Sequence, residues 1–439
     1  MKEDNNLVSR VKRYSRVTTS LTSLATKFAG KKYLNFDLSD QKYAAQITEI
    51  LGNLKGPLMK VAQLSATIPD LLPEEYARKL AELQSNAPPM SWVFVKRRMK
   101  AELGDNWEGS FSSFDKEASF AASLGQVHKA KLKNNEIVAC KLQYPDMSSA
   151  VEADLNQLKI IFKIYSSYNK SIQIREIYKE IEARLKEELD YKLEHRHLKI
   201  FEYMHKKNSF IKIPKVYKNI STQRLLVMEY LDGKKLIEYK NSSQKIRNEL
   251  AKNLFMAWYL PFYKYGIIHG DPHPGNYQVD NSNKNKPTIN LLDFGCIRVF
   301  PAHFVKGVID LYIAMRDDNY DLAIKAYKSW GFNDLSKDLI KVLNVWALYI
   351  YGPLLENKKR QIQDPNAKQN GKEVASNVYK ELKKLGGVAP PKEFVLIDRA
   401  AVGLGSVFMH LNAELNWHKI IEKLIENFDE KELYNKVKI

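Results

Sequence analysis

The sequence predicts an α+β protein of two lobes, a small β-containing unit followed by a larger helical one, with a helical stretch ahead of both. Three observations carry that expectation. Apolar residues repeat at period two on either side of Asn134-Asn135, from Val127 to Leu132 and from Ile137 to Leu142, as in a β-hairpin. Beyond Gly233 the chain is helix-periodic over most of its length. Between those regions lies a loop-rich segment, Gly266 to Gly295, crowded with Asp, His, Asn and Gly. With 439 residues, 44% of them apolar, there is material for two or three packed units, and disordered, collagenous and disulfide-scaffold classes are excluded.

Taken in order, residues 1–38 form a basic leader. Leu7, Val11, Tyr14, Val17, Leu21, Leu24 and Phe28 recur at helical spacing between Arg10, Lys12, Arg13, Arg16 and Lys27. Helical patterning runs from about Ser39 to Gly104, with polar breaks at Thr67 to Pro73 and Ala87 to Met90. Leu71-Leu72-Pro73-Glu74-Glu75-Tyr76 reads as a helix start, Pro in the first turn and acids at the positive end of the dipole. After the hairpin, two long helices are expected, about Met147 to Tyr165 and Ile174 to Met204, then strands near Ile211 to Tyr217 and Arg224 to Tyr230. Short strands are expected at Tyr277 to Val279 and Ile289 to Leu292. Gln361 to Lys372 reads as an exposed loop. Helix Phe394 to Leu411 carries Gly403 and Gly405, which favour close packing. The most apolar run, Leu343 to Leu355, is roughly a dozen residues, short of the ~20 a bilayer requires.

The chemistry concentrates in His269-Gly270-Asp271-Pro272-His273-Pro274-Gly275-Asn276, followed 17 residues later by Asp293-Phe294-Gly295 at the end of the apolar run Ile289 to Leu292. Phosphoryl transfer needs a carboxylate near the attacking oxygen and hard oxygen ligands that hold a divalent ion against the phosphates. Asp271 is the candidate base; Asn276 and Asp293 are the candidate metal ligands. His269 and His273 are expected to shape the loop by hydrogen bonding, because hard oxygen partners suit a transition metal poorly.

The same chemistry needs a cation on the phosphates, borne on a small-lobe strand. Val138-Ala139-Cys140-Lys141 supplies Lys141, and the expected acidic partner is Glu188 in Glu187-Glu188-Leu189-Asp190. Glu188 lies 47 residues beyond Lys141, farther than protein kinases place that helix, so an inserted helix is implied. Where a glycine-rich phosphate loop would stand, the chain reads Ser119-Phe120-Ala121-Ala122-Ser123-Leu124-Gly125-Gln126-Val127-His128. Ala121, Ala122, Ser123, Gln126 and Val127 are candidate nucleotide contacts; alanine does not adopt positive φ cheaply, so this loop should approach phosphates differently. Met228, Glu229, Tyr230 and Leu231 are candidates for a hinge that reads a nucleobase through its backbone. His195 and His197, two apart on a helix, read as solvated side chains.

These motifs resemble the UbiB/AarF atypical kinases, and among them the mitochondrial coenzyme Q ATPase branch, over roughly Gly52 to Trp417. The resemblance implies a protein-kinase-like fold whose helical extension covers the active site and blocks protein substrates. It divides the chain into a leader (1–38), an extension (39–105), an N-lobe with inserted helices (106–232) and a helical C-lobe (233–439). Lys60 and Gln63 match the Lys-x-Gly-Gln of the extension, with Ala62 in place of Gly. Glu188 and Asp190 match Glu-x-Asp, and Phe120 replaces one alanine of the alanine-rich loop. Implied cofactors are Mg²⁺ or Mn²⁺ with ATP or ADP. The implied activity is an ATPase or atypical kinase supporting ubiquinone biosynthesis, with quinone-precursor lipids and quinone-biosynthesis proteins as partners. The implied location is peripheral, at a bacterial inner membrane or the matrix side of a mitochondrial one.

Composition agrees with an anionic partner: 69 basic against 51 acidic residues give a net charge of +18. An anionic membrane surface and nucleotide both satisfy it, and no nucleic-acid reading module is recognisable. From Gly295 the chain passes through Pro301 straight into helical periodicity, with no long activation loop or Ala-Pro-Glu terminator. Two alternatives remain at this level, a nucleotide-gated scaffold or lipid-handling chaperone, and a small-molecule phosphotransferase that shares the His-Gly-Asp-x-His-x-x-Asn pattern. Cys140 and Cys296 are too few for a disulfide framework, which points to a reducing compartment.

Overall fold

The computed structural model describes residues 90–437 except 123, 153–154, 157–158, 160–173, 281, 283–285, 333–334, 363–370 and 386–391. The leader, the extension as far as residue 89 with Lys60 and Gln63, and Ser123 lie outside the described residues. The described chain forms two compact units. One holds the residues up to His195 together with Val216–Tyr230; the other holds Arg196–Lys215 and the chain from Leu231 onward.

The first unit is built on an antiparallel sheet. Strands β1 (Phe111–Phe114), β3 (Gly125–Leu132), β4 (Ile137–Gln143) and β6 (Leu225–Glu229) lie in that order, with β2 (Phe120–Ala122) paired to β3. The expected hairpin is β3–β4, and Asn135 takes the left-handed conformation (φ 69°) its turn requires. Val138, Cys140 and Leu142 alternate onto the face covered by helix α1 (Trp92–Leu103), whose Val95 and Met99 join Trp107, Phe111, Leu225 and Val227 in one core. By the same alternation Ala139, Lys141 and Gln143 face the other way. Arg98, only 4% exposed, ties α1 to the sheet by donating to the carbonyls of Gln143 (3.2 Å) and Tyr144 (3.1 Å).

The expected helix from Ile174 to Met204 is two helices, α2 (Ile174–Glu188) and α3 (Tyr191–His205). The Asp190 carboxylate accepts from the backbone N–H of Lys192 and Leu193, both at 3.0 Å, and so caps a new helix where a continuous one was expected. Residues from Arg196 to the end of α3 belong to the second unit, inside the stretch expected of the first lobe: there Phe201 packs on His269 and Phe294.

The second unit contains a four-stranded sheet in the order β5 (Ile211–Lys212), β10 (Thr288–Leu291), β9 (Tyr277–Asp280), β7 (Lys234–Lys235). Strands β8 (Ile267–His269) and β11 (Ile297–Val299) form a separate antiparallel pair. The strand expected at Ile211 to Tyr217 is thus only two residues long, and the run continues through Pro214, which has no backbone donor. Helix α4 (Gln244–Tyr265) opens on the Ser243 cap and closes on Gly266 at φ 65°. Helices α5 (Ala302–Arg316), α6 (Tyr320–Ser329), α7 (Lys337–Leu355), α8 (Gly371–Lys384), α9 (Lys392–Leu411), α10 (Trp417–Ile425) and α11 (Glu430–Val437) complete the unit.

The apolar run at Leu343 belongs to a longer helix than expected. Ser336 caps α7, which spans 19 residues and by length and composition is long and apolar enough to cross a membrane. A third of that span is buried within the unit, and Tyr351 donates to the carbonyl of Val308 on α5 at 3.1 Å. Among the described residues Cys140 is buried and free. Burial pushes its thiol far up, which makes it an inert core residue.

His205 at the end of α3 is 3% exposed, and burial pushes its imidazole down from 6.5 to about 4. The unfolded chain takes up a proton there as pH falls through 6.5, whereas the folded chain does so only near 4. The contribution is therefore complete above 6.5 and lost as pH drops to 4, worth about 3 kcal/mol on that limb. His205→Gln should flatten the acid side of a profile of Tm against pH; an unchanged slope would remove His205 as its source.

Candidate functional site

Each unit positions its share of the candidate residues by local rules. In the first unit, β4 presents Lys141 on the face opposite the core. Its ammonium donates to both carboxylate oxygens of Glu194, at 2.7 and 3.0 Å, and lies 5.4 Å from the ring centre of Tyr191. Lys141 is 8% and Glu194 2% exposed, so this is a buried, charge-assisted pair. The expected partner, Glu188, is corrected to Glu194. Glu188 is the last residue of α2, and the helix break at Leu189-Asp190 hands the position facing Lys141 to the first turn of α3. Gln143, on the same face as Lys141, donates to the Leu189 carbonyl at 2.6 Å and holds that break against the sheet. Asp190 also accepts from Gln223 at 3.1 Å.

The alanine-rich segment is a tight hairpin, β2 to β3, with Ala121 opposite Gln126 and Ala122 opposite Gly125. Gly125 is required there: a Cβ would sit 2.2 Å from the Leu142 carbonyl oxygen. Val127 is half-buried and pairs across to Lys141, on the same face. Gln126 is corrected from a nucleotide contact to a core residue. It points to the opposite face, is fully buried, accepts from the Met90 N–H at 2.6 Å and lies 2.7 Å from His128. His128, held down from its ordinary value by burial, turns its other ring nitrogen to the Asp115 carbonyl at 2.8 Å. Met228 is buried and Glu229 half-buried at the end of β6; the Tyr230 N–H donates to the Ile137 carbonyl at 3.1 Å, and Leu231 is buried.

In the second unit two strand pairs bring the two motifs together. The loop 270–276 runs from β8 to β9, and Asp293-Phe294-Gly295 runs from β10 to β11. Since β8 pairs with β11 and β9 with β10, both loops leave the same framework. His269 places its Nε2 on the Asp293 carbonyl oxygen, and its Nδ1 accepts from the Asp271 N–H at 3.3 Å. Leu292 donates to the Asn276 carbonyl at 2.9 Å. The Asn276 amide nitrogen donates to the Asp271 carbonyl (3.2 Å) and carboxylate (3.1 Å). His273 caps the next turn by accepting from the Gly275 N–H at 3.1 Å, so both histidines shape the loop as expected.

Asp293 has φ 40°, in the left-handed region, and its carboxylate accepts from the Gly295 N–H at 3.0 Å. Buried Phe294 holds that strained turn from below, against Phe201 and His269, while His197 lies 2.8 Å from the Phe294 carbonyl oxygen. His197 is thus a half-buried brace of this turn, not the solvated side chain its helical spacing implied. Cys296 packs on Gly270, where a Cβ would sit 2.5 Å from its sulfur, and Gly403 of α9 packs on Pro272, where one would sit 2.5 Å from Cγ.

The donor set fits a hard divalent cation. With both amide hydrogens of Asn276 directed at Asp271, its Oδ1 is left as an acceptor, and Asp293 supplies a carboxylate. Among the described residues no three His, Cys, Asp or Glu side chains cluster as ligands, so phosphate oxygens and water would complete the shell. Asp271 stands beside fully buried Tyr277, whose phenol is pushed well above its ordinary value by burial first and by the Asp271 charge second.

Residues 82–327 match the family profile described as ABC1 atypical kinase-like domain. AarF domain-containing protein kinase 1 of Gallus gallus is 30% identical over 321 residues, 72% of this chain and 62% of that one. Atypical kinase COQ8, mitochondrial, of Saccharomyces cerevisiae is 29% identical over 285 residues, 64% of this chain and 56% of that one. The chain spans 38 to 62% of the length of such relatives. The Rv3197 structure of Mycobacterium tuberculosis, solved as a complex with erythromycin, superposes with a TM-score of 0.62 at 24% identity. It covers 88% of this chain and 96% of that one, a shared fold.

Removing the charge of Glu194 strands the buried ammonium of Lys141. Glu194→Gln should destabilise the chain by roughly 3 kcal/mol in denaturant unfolding, and Glu188→Gln by less than about 1 kcal/mol. The opposite ranking would restore Glu188 as the partner.

Proposed function

The chain belongs to the ABC1/AarF atypical kinases, and on that premise we propose that it binds Mg-nucleotide and hydrolyses or transfers its terminal phosphoryl group in support of ubiquinone biosynthesis at a membrane surface. One observation carries the reading: the second unit brings Asp271, Asn276 and Asp293 together on loops of one framework, a hard-oxygen set, and the first unit holds Lys141 as a buried, paired cation. Lys141, held by Glu194, neutralises phosphate charge. Ala121, Ala122 and Val127 line the approach from β2 and β3, and Met228 to Leu231 read the base through backbone groups. Asn276 and Asp293 hold the cation, Mg²⁺ or Mn²⁺, which when bound neutralises charge on the phosphates of ATP or ADP. Asp271, oriented by the Asn276 amide, accepts the proton of the attacking hydroxyl or water.

The extension carrying Lys60 and Gln63, matched like Glu188 and Asp190 to the family's pattern, would close the site to protein substrates. The short path after Asp293-Phe294-Gly295 supports this. Only Cys296, β11, Phe300 and Pro301 separate Gly295 from α5, which leaves no platform for a substrate peptide. The relative named mitochondrial and those named chloroplastic support an organellar location. The net charge of +18 supports an anionic lipid surface, and quinone-precursor lipids and quinone-biosynthesis proteins are the proposed partners.

Asp293→Asn removes a metal charge. Wild type should be stabilised by Mg-ATP at a hundredfold excess over Kd by about 2.7 kcal/mol, and Asp293→Asn by none of it in a thermal-shift titration. Equal stabilisation of both would overturn the metal assignment. Quinone profiling of a deletion strain complemented with wild type or Asp271→Asn tests the role: rescue by both would replace turnover with a nucleotide-gated scaffold.

The charge argument has its own measurement. ATPase turnover should rise severalfold on anionic vesicles relative to zwitterionic ones and fall back as salt screens the surface. Equal turnover on both compositions would break the link to the membrane.

A further inference from the structure

Helix α7 carries a face that the rest of its unit leaves open. Leu339, Ile340, Leu343, Trp346, Ala347 and Tyr351 are buried on one side of it. On the other, Val345 is 55% and Leu348 50% exposed. Gly352 lies on the same line, four residues beyond Leu348, and a Cβ built there would meet nothing within 4 Å. Half-buried Leu355 continues the line, so the stripe runs about 15 Å along the helix. Not one Asp, Glu, Lys or Arg occurs from Val342 to Leu355.

Single apolar side chains at a surface need no explanation, whereas an uncharged helix face of this length does. A core helix would bury it, yet only a third of the apolar span of α7 is buried. A membrane-crossing helix would have to leave the unit, yet Tyr351 is tied to the Val308 carbonyl on α5. Such a helix stays packed on one side and meets an apolar phase with the other.

The charges at its ends say which phase. Lys337 and Lys341 stand exposed in its first turns, and Lys358, Lys359 and Arg360 follow its last one. Asp338 and Glu356 are the only acids from 337 to 360, against those five cations. Glu356 is taken up by Lys358 at 2.8 Å and Arg360 at 2.6 Å, whereas Lys359 is exposed and has no acidic partner among the described residues. Cations at both ends of an apolar stripe match anionic headgroups around an acyl surface. The same signs disfavour other occupants. An antiparallel second copy would set lysines against lysines, and residues 1–38 bring Arg10, Lys12, Arg13 and Arg16 of their own.

We propose that α7 is the element by which the chain docks on an anionic bilayer, the stripe from Val345 to Leu355 entering the acyl boundary and the flanking cations meeting the headgroups. This rests on the membrane part of the reading above and adds the surface that makes the contact.

Co-sedimentation of the full chain with vesicles tests it, using phosphatidylcholine alone and phosphatidylcholine mixed with phosphatidylglycerol. Wild type should pellet with the mixed vesicles. Leu348→Glu should weaken that binding about tenfold, the order one large aliphatic side chain contributes, and Lys359→Gln about fivefold. Gly352→Leu extends the stripe into open space and should tighten binding severalfold, a gain that no loss of folding imitates. Val93→Glu, at an exposed position of α1, should change nothing. If wild type binds and neither Leu348→Glu nor Gly352→Leu shifts the affinity, or Val93→Glu weakens it equally, α7 is not the docking face and the membrane reading stands. If wild type pellets with neither composition, both fall, while the nucleotide assignment keeps its own thermal-shift test. Self-association of the lipid-free chain that Leu348→Glu abolishes would hand the stripe to a second copy. If Leu348→Glu lacks a cooperative unfolding transition, Gly352→Leu decides alone.

Discussion

A lysine that is only 8% exposed has no business in a protein interior unless something repays the lost hydration of its ammonium. Here Glu194 does so with both oxygens, and much of the first unit is arranged to keep it there. The alternation of β4 commits Val138, Cys140 and Leu142 to the core and thereby turns Lys141 the other way. Asp190 starts α3 at the residue that brings Glu194 round in its first turn, and Gln143 holds the preceding peptide. Slip the strand by one residue and the ammonium enters an apolar core; delay the cap and the carboxylate rotates off. The pair is weak evidence for stability and strong evidence for register.

The second unit solves a different problem, holding carboxylates in geometries the backbone resists. Asp293 at positive φ and the adjoining Asp271 loop are both fixed through His269, which spans them. Phe294 then fills the space beneath, between Phe201 and His269, and His197 meets its carbonyl. Apolar support beneath the turn adds to the hydrogen bond that the Asp293 carboxylate itself accepts from the Gly295 N–H. Asn276 shows the economy: its amide nitrogen orients Asp271 while its oxygen stays available to a cation.

The legible parts of this protein in its sequence were those set by short-range rules. The β3–β4 hairpin follows from period-two patterning around Asn134-Asn135, and the Asp271, Asn276 and Asp293 loops from the spacing of acids and glycines. Glu194 was not legible, because helical periodicity runs through Leu189-Asp190 without a visible break. The available signal was an Asp followed by a new helical register, a cap pattern hidden among other acids. Strands β1, β2, β7, β8 and β11 have two to four residues each, and such strands exist by pairing, not by propensity. Gln126 misled for a related reason: a polar side chain beside a phosphate loop reads as a ligand contact until the pleat turns it toward Met90.

Hydrogen-bond accounting separates the places where this chain is finished from those where it is not. Buried polar groups in folded proteins are nearly always paired, so the exceptions carry information. Arg98, Gln126, His128, Lys141 and His269 are all buried and all engaged by the chain itself; they hold the fold. The amide oxygen of Asn276 is an acceptor beside an acid, which is unmet capacity of the kind a cation satisfies.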